Sequence, residues 1–369
     1  MPFLSKAIRV GAAWTLILAA ACSLTTSLDG LAGAVDGFPD GGADGPTTTS
    51  DAPIDTPDGA VGCGSDLQSD RTNCGVCGHS CLGATCVGGV CQPTLMTRGN
   101  VVCLALDDVR VFWAHANGDL RSQSKNGGPT INYYDAGLPV SRCAVDGALF
   151  LLAYSGGQAG IAGYPKAGGS VVPVVTNQTG LPYGVVSKNG VFFTNSVTNV
   201  VGECVTVPCN DTPGIVASAQ ANPYGIAADE ARVYWTNRGD GTVRSAGRGP
   251  TSSVVTVAGG QSAPGGIAVD ETDLYWANQG GSIMKMSKTG TSPQAIATGQ
   301  DAPESLVLDA ASVYWVNAGG SVMKLAKGGG KPFALAVGQS RPWDLAVDDT
   351  HVYWANYSDD GGGLYRVAK

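Results

Sequence analysis

From residue 93 onward the apolar positions fall into short runs, each ended by Gly, Asn, Asp or Ser. The stretch from Ala302 to Gln339 shows the pattern: SLVLD, SVYWVN, SVMKLAK and PFALAVG, with Gly-Gly, Gly-Gly-Gly and Gly-Gln supplying breaks. Runs this short, rich in β-branched and aromatic residues and bounded by turn formers, predict strands. Some, such as Val233-Tyr234-Trp235, are apolar at consecutive positions. That suits strands covered on both faces, where strict alternation is not needed.

The four-strand unit recurs. An Asp closes its first strand at Asp107, Asp146, Asp229, Asp270, Asp309 and Asp348, with Lys188 at the remaining register, in steps of 39, 42, 41, 41, 39 and 39 residues. An aromatic strand follows: VFWAH, FLLAY, VFFTN, VYWTN, LYWAN, VYWVN and VYWAN. Four strands every forty residues or so is the signature of a β-propeller blade. Trp113, Trp235, Trp276, Trp315 and Trp354 share one repeat position, which makes them packing residues between blades. The seventh copy stops after its third strand, GLYRVAK, while a spare fourth-strand sequence, PTLMTRGN (93–100), precedes the first copy. The expectation is an all-β, seven-bladed propeller closed by this N-terminal strand, which leaves no open sheet edge.

The VYWxN strands and the preceding Asp resemble the YWTD-type propeller repeats of lipoprotein receptors and, more loosely, NHL and TolB-like propellers. YWTD propellers have six blades, so that resemblance makes six the alternative. None of this assigns a function, since propellers host enzymes, receptors and scaffolds alike.

Residues 1–21 read as a signal peptide, with Lys6 and Arg9 ahead of the apolar run VGAAWTLILAAA, too short to span a membrane. LAAAC (18–22) resembles a bacterial lipobox, which implies lipidation of Cys22 and, with Ser23 next, an outer-membrane or cell-surface anchor. Ala19-Ala20-Ala21 also suits ordinary secretion to the periplasm or medium. Residues 22–62 carry seven Asp and no Lys or Arg and predict a disordered acidic tether. Within 63–92, Cys63, Cys74, Cys77, Cys81, Cys86 and Cys91 predict a module stapled by three disulfides of open connectivity. Its spacing resembles the cysteine-rich motif of plant stigma-specific proteins. Zinc binding by Cys74, Cys77 and His79 is the lesser reading. Cys103 and Cys143, on first strands of adjacent blades, and Cys204 and Cys209, around a short insertion, complete the pairing of all ten thiols outside Cys22.

Overall charge is −8 and only 14% of residues are charged. The propeller region, 93–369, holds 19 basic and 21 acidic residues, which argues against a nucleic-acid partner. Strand direction places the fourth-to-first loops and the second-to-third turns on one face, here face A. Tyr183, Tyr224 and Trp343 each follow Pro on that face. They are the candidate ligand residues, with local packing as the competing reading. The repeated Asn195, Asn237, Asn278, Asn317 and Asn356 are expected to serve turn geometry. Propeller lyases of the virginiamycin B type also have seven blades, with similar repeats, and use a channel metal and His. Here only His115 could reach face A, so no metal, cofactor or catalytic residue is assigned. The reading is a non-enzymatic, envelope-anchored binding or scaffold protein for a protein or glycan. The alternatives are a channel-metal lyase or hydrolase and a structural coat protein.

Overall fold

A computed structural model describes residues 66–369, apart from 76–77, 136, 156–158, 181, 210–211, 250–251 and 359–361. The signal segment, Cys22, the tether, Cys63 and Cys77 lie outside the described residues.

Seven four-stranded antiparallel sheets follow one another, and seven rather than six is the blade number. Blade 4 is representative: Pro223–Ala228, Arg232–Asn237, Thr242–Gly247 and Val255–Ala258 pair in chain order. The seven first strands neighbour each other in a closed ring. Blade 7 takes its fourth strand from Thr94–Arg98, which pairs with Gly363–Ala368. The ring is thus sealed by hydrogen bonds between distant parts of the chain.

The five repeat tryptophans are fully buried between blades. In blades 4 to 7 each has a fixed set of partners. The indole N–H of Trp235, Trp276, Trp315 or Trp354 donates at 2.9–3.0 Å to a Gln side chain at the entrance of its blade (Gln220, Gln261, Gln300 or Gln339). The same Gln oxygen accepts from the Asn two residues beyond the Trp. These four Asn are therefore buried clasps and not αL turn residues; none has a positive φ. Only Asn195 matches the expectation of a turn, accepting from its own backbone at Val197 and Thr198.

On the opposite face, B, the repeat Asp residues other than Asp146 accept backbone N–H groups two and three residues on, as Asp309 does from Ala311 and Ser312. The second carboxylate oxygen meets a Lys from the following blade: Lys166–Asp107, Lys288–Asp229, Lys327–Asp270, Lys369–Asp309 and Lys125–Asp348. Burial alone would raise these carboxyls, but the lysines and backbone N–H groups outweigh it and hold Asp270 and Asp309 near a pKa of about 2. Asp348 is held there chiefly by the N–H groups of Thr350 and His351.

Cys103–Cys143 joins the first strands of blades 1 and 2, and Cys204–Cys209 closes the insertion in blade 3. In the small module Cys74–Cys86 and Cys81–Cys91 are bridged. These four cysteines share a buried cluster with Leu335, Ala336, Val367 and Ala368 of blades 6 and 7. Cys74, Cys81 and Cys91 lie close enough together to hold a metal. Their sulfurs are spent in disulfides, and a metal ligand must be a thiolate, so this trio offers no zinc site in its oxidised form.

Candidate ligand site at the channel mouth

The first strands start at face A, and each breaks register with its second strand just after its opening residue. A bulge of this kind re-aims side chains. In blades 3 to 5 the bulge ends in glycine, and there the neighbouring strand comes very close. A Cβ at Gly266 would stand 2.8 Å from the Glu304 carbonyl oxygen. The channel wall on that side is largely backbone. Blades 2, 6 and 7 put Arg142, Glu304, Ser305 and Asp344 at the matching places. The outcome is a cavity of about 220 Å³ at the face A end of the channel, with charged groups gathered on one side and glycines on the other.

Tyr183 and Tyr224 line this cavity, their rings 4.0 Å apart between centroids and their hydroxyls 2.6 Å apart. Trp343 joins them through Arg142, whose guanidinium stands 4.9 Å from both the Tyr183 and Trp343 ring centroids. Arg238 lies over the Tyr224 ring at 3.2 Å. Trp343 and Tyr357 also flank Arg341, at 5.6 and 5.3 Å. The aromatic faces are thus occupied by arginines, a favourable use of the ring quadrupole. Tyr224 is buried, while Tyr183 and Trp343 are half-buried. The three predicted residues are brought together around Arg142, but as supports for cations and not as an open stacking platform.

Glu304 anchors the opposite end of the cluster. It accepts from Arg238 at 2.7 Å, from the Tyr224 hydroxyl at 3.3 Å and from the Gln279 amide. Asp344 accepts from the Ser305 hydroxyl and the Leu104 N–H, each at 3.2 Å. Burial pushes the Asp344 carboxyl upward, against the pull of Arg142 and these donors. Burial also opposes the charge on Arg142, yet Tyr224, Tyr183, Asp344 and Glu304 together raise its pKa and keep it cationic. The Tyr224 hydroxyl is raised as well, chiefly by burial.

The histidines lie elsewhere. His115 accepts the Trp113 indole N–H on Nε2 at 3.3 Å and so replaces the Gln of the later clasps. Burial, then the charge of Arg121, lowers its pKa. His351 pairs with Thr350 in a face B turn, and His79 bonds the Cys74 carbonyl in the module. Arg238-Gly239-Asp240 spells an adhesion tripeptide in an ordinary repeat turn, but its arginine is bound to Glu304 and its aspartate to Arg244.

Sequence alone does not single out Arg142, Gln279, Glu304 or Asp344, and marks Arg238 only as part of an Arg-Gly-Asp turn. For Arg142, Glu304 and Asp344 a usable signal is there: polar residues one or two positions after the strand-opening residue, where other copies have Gly.

No family model matches the chain, and no curated protein matches it in sequence. Solved structures do match in fold. A catalytically inactive histidine-to-alanine variant of virginiamycin B lyase from Staphylococcus aureus with quinupristin is 13% identical, with a TM-score of 0.63 over 75% of this chain and 98% of that one. A streptogramin B lyase structure is 14% identical, with a TM-score of 0.63 over 75% of this chain and 96% of that one. The WD40 β-propeller domain of Doa1 is 13% identical, with a TM-score of 0.61 over 75% and 97%. At such identities the likeness is one of fold: this chain is a seven-bladed β-propeller, an architecture compatible with binding.

Proposed function

We propose that this protein is an exported, envelope-anchored binding protein that takes a polar ligand into the face A mouth of its channel, without catalysis. The observation that carries the reading is the cavity itself. It combines one aromatic-backed arginine, Arg142, two acidic side chains and a glycine-lined wall, which is the mixture of shape and a few aimed polar groups that ligand sites use. The engagement of His115 Nε2 by Trp113 supports binding over a lyase reaction. Export follows from the signal segment, and the disulfides are in keeping with an oxidising compartment. Anchoring rests on Cys22.

Two experiments test this. Screening purified protein on an array of envelope glycans and peptides should find ligands that a Tyr183→Ala/Trp343→Ala variant no longer holds, while its thermal transition survives. Equal binding by both proteins would remove the channel mouth from the function. Labelling cells with a palmitate analogue should mark the wild type and not Cys22→Ala; equal labelling would end the anchor proposal.

A further inference from the structure

The channel mouth points to a particular chemistry, and this inference rests on the binding reading above. We infer that Arg142 captures a carboxylate, and that the ligand is a small acid with a hydroxyl or ammonium donor close to that carboxylate.

The first part comes from what Arg142 leaves unused. A guanidinium has five N–H donors in a planar fork. Among the described residues Arg142 makes one hydrogen bond, a long one of 3.4 Å from Nη1 to the Ser141 carbonyl. Among the described residues no carboxylate lies within ion-pair distance of it, although Asp344 and Glu304 line the same cavity. Its position is fixed by Tyr183 and Trp343. Ring faces orient a guanidinium while leaving its donors free. By contrast Arg238, which also rests on a tyrosine, is committed to Glu304 at 2.7 Å. A planar two-oxygen acceptor is the natural complement to an aromatic-backed arginine fork.

The second part comes from the two acids. Glu304 is neutralised by Arg238, whereas Asp344 lines the cavity with only a hydroxyl and backbone N–H groups as hydrogen-bond donors. An acid with only an apolar group beside its carboxylate would desolvate Asp344 without giving it a partner, which is costly. A ligand with a nearby hydroxyl or ammonium satisfies both ends. Sugar acids and amino acids share this chemistry.

Trp343 lies against Arg142 while the repeat tryptophans are buried in the blades, so tryptophan fluorescence should report occupancy. The test titrates full-length protein with sodium glucuronate, γ-aminobutyrate, propionate, glucose and inorganic phosphate. We expect saturable binding of glucuronate or γ-aminobutyrate, the responding probe telling sugar acid from amino acid. Propionate and glucose should be weaker by roughly 10- to 100-fold, the value of one charged hydrogen-bond set. Arg142→Gln should lose the response, and Arg142→Lys should lose most of it despite keeping the charge. Comparing ligands on the wild type keeps the test valid if a variant folds poorly. Glucose binding as tightly as glucuronate, or phosphate binding more tightly than either acid, would overturn the carboxylate assignment. So would silence toward every probe while array ligands still bind at the mouth. In those cases the binding function stands; it fails only if no array ligand depends on Tyr183 and Trp343.

Discussion

Blades 4 to 7 and blades 1 to 3 reach the same architecture by different means. In the later blades a buried Trp and Asn and a Gln that links them repeat with nearly the same hydrogen-bond lengths, at constant separations of 15 and 17 residues from the Gln. In the earlier blades that set dissolves. Blade 1 substitutes His115 for the Gln acceptor, and blades 2 and 3 place Leu152 and Phe193 where the Trp would stand. The Lys–Asp ring on face B also lapses at blade 3, where Lys188 occupies the Asp register and pairs with Glu230 of blade 4. The earlier blades instead have both propeller disulfides and a stacked Phe112–Phe150 pair at 5.3 Å. Directional polar clasps and covalent ties are alternative ways to stop two packed sheets from sliding.

Exchanging residues between the two regions should break this correspondence most severely. Trp315→Leu gives blade 6 the residue of blade 2. It opens a cavity and removes a donor from Gln300, so the denaturant midpoint should fall by an amount equal to about 3–5 kcal/mol. The reverse change, Leu152→Trp, should also destabilise, through overpacking. Next in size is the covalent tie. Replacing Cys103 and Cys143 by Ala, which frees a 40-residue separation, should cost about 2–4 kcal/mol in the same assay. Gln261→Ala strands the Trp276 and Asn278 donors and should cost roughly 1–3 kcal/mol.

Acid offers a finer comparison. Asp270, Asp309 and Asp348 have folded-state pKa values lowered to about 2. A depressed carboxyl stabilises the fold fully above its unfolded pKa and loses that contribution as pH falls through its folded value. Melting temperature should therefore decline between about pH 4 and pH 2, with each aspartate losing on the order of 1 kcal/mol after allowance for its partial exposure. Asp309→Asn should remove one of these contributions and so flatten the decline. Smallest of all, Lys327→Met should shift stability by roughly 0.2–1 kcal/mol, with less effect at high salt.

The architecture was legible in the sequence because it repeats. The aromatic strands and Asp registers marked seven blades, PTLMTRGN marked the closing strand, and register alone placed Cys103 beside Cys143. The clasp was half visible. The Trp and Asn stand at visible repeat positions, but their roles depend on Gln220, Gln261, Gln300 and Gln339, which sit in loops far enough upstream to look like spacer. Least legible was the channel mouth. Arg142 belongs to a copy that opens with Val140 instead of Pro, and Arg238 and Gln279 lie in turns of other blades. Their convergence is produced by ring closure and by the bulges, neither of which leaves a local pattern in the chain.

The closing strand has a consequence in time as well as in space. Thr94–Arg98 is synthesised before any of the strands of the sheet it completes, and its partner, Gly363–Ala368, comes far downstream. Until then blade 7 cannot form as a four-stranded sheet, and the ring has two raw ends that could recruit strands from other chains. A contact between such distant segments forms slowly. For this fold the interval before closure is the period of greatest exposure, and the first blade strand made is the last to find its place.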